Sequence, residues 1–183
     1  MGDEMMRPRS TARMAFTRIE LLVVIGIIAI LAAILTPAIQ SLFKKGERVA
    51  AQGDVVKIVN AWKSYYNEYG HWPEQAAENI STGQAMNSYF VGILTARYFE
   101  NQKDNPKNVK FMEVTAEQLS STTNIFMDPW GTPYRVMFDT NYNGRIERQS
   151  LPAVYDTVIA WSAGPDTNTA NVADVKDDIK SWE

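Results

Sequence analysis

The chain has 183 residues, 45% of them hydrophobic, a formal net charge of -3 and no cysteine. That length holds one modest domain plus an anchor. The charge gives no footprint for nucleic acid. The missing cysteine excludes disulfide staples and thiolate metal sites, which leaves a bound metal ion as one candidate staple for a small domain.

Residues 1–15 are polar and carry Arg7, Arg9 and Arg13. After Phe16-Thr17-Arg18-Ile19-Glu20 comes a run, residues 21–39, that is apolar until Thr36 and Pro37. A membrane span needs about 20 mostly apolar residues, so residues 16–39 are expected to form a transmembrane helix. The upstream arginines predict an N-terminal side kept in the cytoplasm and a globular part outside. An ordinary secretory signal peptide fits poorly, because Pro37 sits where the small-x-small cleavage site would fall and the helical pattern continues past it. A signal anchor is the plainer alternative.

Glu20 is a carboxylate at the edge of the apolar run, four residues after Phe16. A charge in such a place is a functional hypothesis by default. If the chain is cut before Phe16, the new ammonium of one subunit pairs with Glu20 of the next and neutralises both charges in an apolar surrounding. The competing reading is an interfacial Glu that reaches headgroup water.

Ala15-Phe16-Thr17-Arg18-Ile19-Glu20-Leu21-Leu22-Val23-Val24-Ile25 resembles the signal of type IV pilins and of the pseudopilins of type II secretion, with Pro37 where that family carries a helix-kinking proline. Ala15 stands where the family usually has Gly, and Arg18 where it has Leu. The resemblance implies cleavage by a prepilin peptidase between Ala15 and Phe16, N-methylation of Phe16, and a role for Glu20 in subunit registration. Residues 1–15 are then a leader peptide.

Helical spacing resumes after Lys44-Lys45-Gly46. Val49, Val56, Val59, Trp62 and Tyr66 recur as one apolar face, expected to pack on the domain. Gly70 supplies a C-cap and Pro73 follows, so residues 40–73 read as the continuation of the helix and its exit. A continuous helix over residues 16–69 would run roughly 80 Å at 1.5 Å per residue. Pro37, Gly46 and Gly53 mark points of bending or local melting. The exit, Trp62 through Tyr65-Tyr66 to Gly70-His71-Trp72-Pro73, also resembles that of pseudopilins. His71, the only histidine, has no second nitrogen or thiol ligand and reads as a loop residue.

Residues 74–183 read as the globular domain. A short helix is expected over 85–99, a loop over 101–108, a short strand over 109–114, and strands over 134–138 and 155–161 that pair as a small antiparallel sheet lying on the helix. The predicted fold is α+β, a long N-terminal pilin-like helix packed on that sheet. Asp128-Pro129-Trp130-Gly131-Thr132-Pro133-Tyr134 is turn chemistry and is close to a motif of the major, G-type pseudopilins. Its task is structural, a rigid turn with a Trp packed beneath.

Two stretches are candidate calcium loops, since calcium takes six to eight hard oxygens from flexible loops. In the tail, Ala163 and Asp166 precede a loop that leads to Asp174, Asp177, Asp178, Ile179 and Trp182; a solvated acidic tail is the plain alternative. The resemblance assigns calcium here, with carboxylates from Asp166 and Asp174 and the carbonyl of Ala163. The weaker candidate, Asp139, Asn141 and Asn143 before Gly144, follows the start of an EF-hand-type loop, but Ser150 stands where the closing Glu belongs. A plain Asn-Gly hairpin between strands accounts for the same residues.

The chain shows no nucleophile-base pair, no zinc ligand set and no phosphate loop, so no enzyme is expected. The expected function is a structural subunit of a type II secretion-like pseudopilus. Its implied partners are further copies in a homo-oligomeric fibre, other pseudopilins, an inner-membrane assembly platform and the prepilin peptidase. It would be a single-pass inner-membrane protein with its C-terminal domain periplasmic. A type IV pilus-like subunit for adhesion or DNA uptake is the alternative.

Overall fold

The computed structural model describes residues 17–77, 83–97, 103–148, 151–168 and 177–182. The chain divides into two compact units, Met1–Phe43 and Lys44–Glu183. A single helix assignment, α1 (Arg18–Tyr69), runs through both and is uninterrupted at Pro37, Gly46 and Gly53.

In the first unit the described residues are all helical after Thr17, and their apolar side chains are exposed on every side, from Ile19 to Phe43. Apolar residues all round a helix have no core-facing stripe, which is the pattern of a membrane span or of a helix wholly enclosed by others. Pro37 lacks the N–H that would bond the carbonyl of Ala33. Beside it, the Thr36 hydroxyl donates to the Ala32 carbonyl at 2.7 Å. Such a back-bond keeps a polar side chain satisfied where no water is at hand.

The second unit is a helix-on-sheet domain. Ala51, Val55, Ile58, Trp62 and Tyr65 of α1 are buried. Of the expected face, Val59 and Trp62 are buried and Tyr66 packs against the core, whereas Val49 and Val56 are 62% and 48% exposed. Val55 takes the place of Val56 about 100° round the axis, where contact with the sheet is made. The helix stops at Gly70, whose φ of +73° is left-handed and whose N–H donates to the Tyr66 carbonyl at 2.8 Å. A residue without a Cβ adopts that conformation at low cost.

The sheet has the order β1-β2-β5-β6, from β1 (Gln84–Ala85), β2 (Arg135–Phe138), β5 (Val158–Ser162) and β6 (Ile179–Lys180), all neighbours antiparallel. At its centre Val136 faces Ala160 and Phe138 faces Val158. Side chains alternate across a strand, and here both faces are covered. Val136, Phe138, Val158 and Ala160 join the cluster around Trp62, whereas Met137, Ile159 and Trp161 join Ile146 in a second one. That second layer comes from the hairpin β3 (Ile146–Arg148) and β4 (Leu151–Val154). The expected strand over 155–161 is thus a turn over 155–157 followed by β5, which runs on to Ser162.

Trp62 is the keystone of the main core. Its ring meets Tyr65, Phe90 and Phe138 edge-on, with centroids 5.4, 5.4 and 5.0 Å away. Phe90 comes from α2 (Ser88–Thr95), capped by the Asn87 side chain. This helix is shorter than expected, since Gln84 and Ala85 pair with β2 instead. The expected strand over 109–114 does not form. Its Phe111 and Met112 N–H groups both donate to the carbonyl of Leu94 at the end of α2, so no partner strand is engaged.

Candidate functional site

Ala15 and Phe16 lie outside the described residues, so the geometry of the junction begins at Thr17. Thr17 and Glu20 close a capping box. The Thr17 N–H and hydroxyl donate to Glu20 Oε2 at 3.0 and 2.9 Å, and the Glu20 N–H donates to Thr17 Oγ1 at 3.2 Å. A carboxylate in the first turn also complements the positive end of the helix. The carboxylate expected to register one subunit against the next is therefore oriented by its own chain, through one of its two oxygens. Arg18 forms no ion pair with Glu20 among the described residues. α1 is long and apolar enough to cross a membrane.

The tail loop is described at its two ends only. Ala163 is buried, and Gly164 has φ +69°. A Cβ on Gly164 would sit 2.4 Å from the Asp177 carbonyl oxygen. The Asp166 N–H donates to the Asp177 carboxylate at 3.3 Å. The loop thus closes on itself at Gly164 and Asp177, with Asp166 exposed beside them. Asp174 lies outside the described residues. Among the described residues no group of three His, Cys, Asp or Glu stands ready to hold a metal. The described ends supply Asp166 and Asp177 to this loop, and a calcium ion would need Asp174 or carbonyls from the intervening segment. Asp177 is the residue that the resemblance did not assign; its position in the Asp174-Asp177-Asp178 series was the only signal for it.

The other loop is organised around Asp139, 2% exposed. One of its carboxylate oxygens accepts the Asn143 N–H at 3.1 Å and the other the Gly144 N–H at 2.8 Å. Asn141 accepts from the Asn143 N–H at 3.0 Å, and Asn143 from the Arg145 N–H at 3.0 Å. Trp72 donates its indole N–H to the Asp139 carbonyl at 2.8 Å, tying this loop to the helix exit. Each acidic or amide oxygen named has a backbone donor. The loop is not a hairpin, since β2 before it pairs with β5 and β3 after it pairs with β4.

The turn expected at Asp128 is present and its acid is the organiser. Asp128, buried, accepts from the Trp130 N–H, the Thr132 N–H and hydroxyl, and the Ser162 hydroxyl, at 3.1, 2.8, 2.6 and 2.6 Å. Two aromatic tips then reach α1. The Trp130 indole N–H donates to Glu47 at 3.2 Å, and the Tyr134 hydroxyl donates to Asp54 at 3.2 Å. Burial, with Asp54 beside it, pushes the Tyr134 hydroxyl above its ordinary range, so it stays a donor.

The loop around residues 101–108 also hides polar structure that composition did not reveal. Asp104 and Asn105 are buried. The carbonyl and carboxylate of Asp104 accept from the Tyr65 and Tyr89 hydroxyls, and Asn105 accepts from Tyr69. Burial first, then Asp104, raises the Tyr65 and Tyr89 hydroxyls. Tyr65 is therefore a core residue and Tyr69 packs against the core, each with its hydroxyl satisfied.

No protein-family model matches the chain, and no solved structure does. Among curated proteins it is 33% identical over 119 residues to a fimbrial protein of Neisseria meningitidis serogroup B, covering 63% of this chain and 61% of that protein. It is 33% identical over 119 residues to the type IV major pilin protein PilE of Neisseria gonorrhoeae, 63% of this chain and 62% of that one. It is 27% identical over 171 residues to the type II secretion system core protein G of Escherichia coli K12, 91% of this chain and 89% of that one. The matched part spans about three fifths of the first of these relatives.

Proposed function

We propose that this chain, a homologue of type IV pilins and of a type II secretion core protein, is a filament subunit that polymerises through the N-terminal half of α1, and specifically a subunit of a type II secretion-like pseudopilus. Its named relatives are structural subunits rather than enzymes. The observation that carries the proposal is the contrast within α1. Residues 21–43, directly after Glu20, expose apolar side chains on every side, while residues 51–65 of the same helix contribute one face to the core of a folded domain. A contiguous apolar surface of that size has to be covered. Lipid covers it in the precursor and neighbouring helices in the fibre. Glu20, held by Thr17, meets the amine of the next subunit there.

The preference for a pseudopilus over a pilus rests on the Asp128–Tyr134 turn and on the absence of cysteine. Extent does not separate the two, since core protein G is matched over 91% of the chain and a fimbrial protein of Neisseria meningitidis serogroup A over 94%. An adhesion or DNA-uptake subunit would share the anchor and differ in its exposed surface. In this reading the chain is a single-pass inner-membrane protein with its domain outside, working with other pseudopilins and an assembly platform.

Calcium in the tail loop belongs to the same reading. Closure of Gly164 against Asp177, with Asp166 beside them, supports it, and Asp174 and the Ala163 carbonyl complete the proposed set. The ion would add stability by joining the two ends of the loop. The full chain in detergent is expected to melt higher with calcium than with chelator; equal melting temperatures would remove calcium from the account.

The intact mass of the membrane-extracted protein, made with and without a prepilin peptidase, tests the class. A product starting at N-methylated Phe16 only when the peptidase is present is the expected result. A chain that keeps residues 1–15 in both cases would contradict a processed fibre subunit.

A further inference from the structure

Between the apolar anchor and the buried stripe of α1 lies a stretch, residues 44–54, with little to hold it helical. Only Ala51 in it is buried. Gly46 and Gly53 are both exposed, with nothing within 4 Å of the position a Cβ would take. Each glycine costs a helix interior about 1 kcal/mol relative to alanine. A helix owes most of its stability in a protein to a packed face, and this stretch has almost none. Propensity and burial alone would let it fray.

Two of its side chains are nevertheless anchored, and both to the same side of the domain. Glu47 accepts from the Trp130 indole N–H, and Asp54 from the Tyr134 hydroxyl and the Gln118 amide, at 3.1 Å for the shorter of two contacts. Glu47 and Asp54 are seven residues apart, two turns on one face of the helix. Trp130 and Tyr134 sit on either side of Gly131 and Thr132, in the turn that Asp128 holds rigid. Rigidity matters here, because a donor on a fixed turn gains more from each bond than one on a mobile loop.

We propose that the Asp128–Tyr134 turn is a latch on α1: its two aromatic donors hold residues 44–54 in helical form, and they set the point N-terminal to which the helix is no longer held by its domain. Releasing the latch lets this stretch open while the core around Trp62 stays folded. The consequence is a local order–disorder element at the place where the glycines make opening cheapest.

Amide hydrogen exchange of the full-length chain in detergent micelles, read by mass spectrometry, tests it. Trp130→Phe removes one donor and keeps an aromatic ring, though a smaller one, and Tyr134→Phe removes only a hydroxyl. Each is expected to speed exchange over residues 46–54 by roughly three- to tenfold, the equivalent of one net hydrogen bond, with residues 58–66 unchanged. Glu47→Ala should reproduce Trp130→Phe and add nothing on top of it. Unchanged exchange over residues 46–54 in the Trp130→Phe/Tyr134→Phe double variant would overturn the latch. An equal rise over residues 46–54 and 58–66 would also overturn it, since that is general destabilisation of the domain.

Discussion

Residues 19–43 and residues 51–65 belong to one helix and are built from similar apolar residues, yet they solve opposite problems. The second set puts Val55, Ile58, Trp62 and Tyr65 on one stripe and buries it against a sheet. The first has no stripe. Ile27, 53% exposed, is as bare as Ile25, 57% exposed and nearly opposite on the helix. The first stretch is also the more apolar, but the decisive difference is whether the chain supplies its own cover. Where it does, the helix is part of a domain. Where it does not, cover must come from lipid or from other chains.

The sharpest way to break this comparison is to cut the same chemistry from each half. Trp62→Ala removes the largest fully buried side chain of the core and should cost the domain about 3–5 kcal/mol. Ile27→Ala should leave the denaturant midpoint of the domain where it was. A comparable loss from both would mean that the first half also contributes to the fold. Asp128→Ala should follow at about 2–3 kcal/mol, because it strands the buried Ser162 hydroxyl and the donors of Thr132. Gly164→Ala forces a Cβ towards the Asp177 carbonyl from a left-handed backbone, and thermal unfolding should report a loss of about 1–3 kcal/mol. At the small end, Lys63 and Asp156 pair at 2.9 Å but remain partly exposed, so Lys63→Ala should cost no more than about 1 kcal/mol.

Much of this was legible because it is local. The apolar run, the Gly70 stop and the Asp128 turn each depend on a few adjacent residues and on backbone rules. The central pairing of β2 with β5 was legible from two apolar runs of strand length. What was not legible depends on partners far along the chain. Val59 and Trp62 were placed on the buried face correctly, but Val49 and Val56 recur at the same spacing as Val55 and Ile58, and only the sheet decides which of these are covered. Asp104 and Asn105 look like solvated loop residues until Tyr65, Tyr69 and Tyr89 reach them. The Asp139 loop looks like a hairpin or a metal loop, because its pattern of Asp, Asn and Gly serves either; the pairing of its flanking strands elsewhere removes the hairpin. Glu20 had a fibre partner in the sequence reading, and the capping box with Thr17 adds a local one that Thr at that spacing had offered.

The most direct test of the account is assembly itself. Wild-type chain and Glu20→Ala would be co-expressed with a prepilin peptidase and an assembly platform, and the sheared fraction examined for fibres by electron microscopy. Wild type is expected to form fibres and Glu20→Ala to form few or none, with the melting of its folded domain unchanged. Fibres formed equally well by both would contradict polymerisation through a Glu20-registered helix.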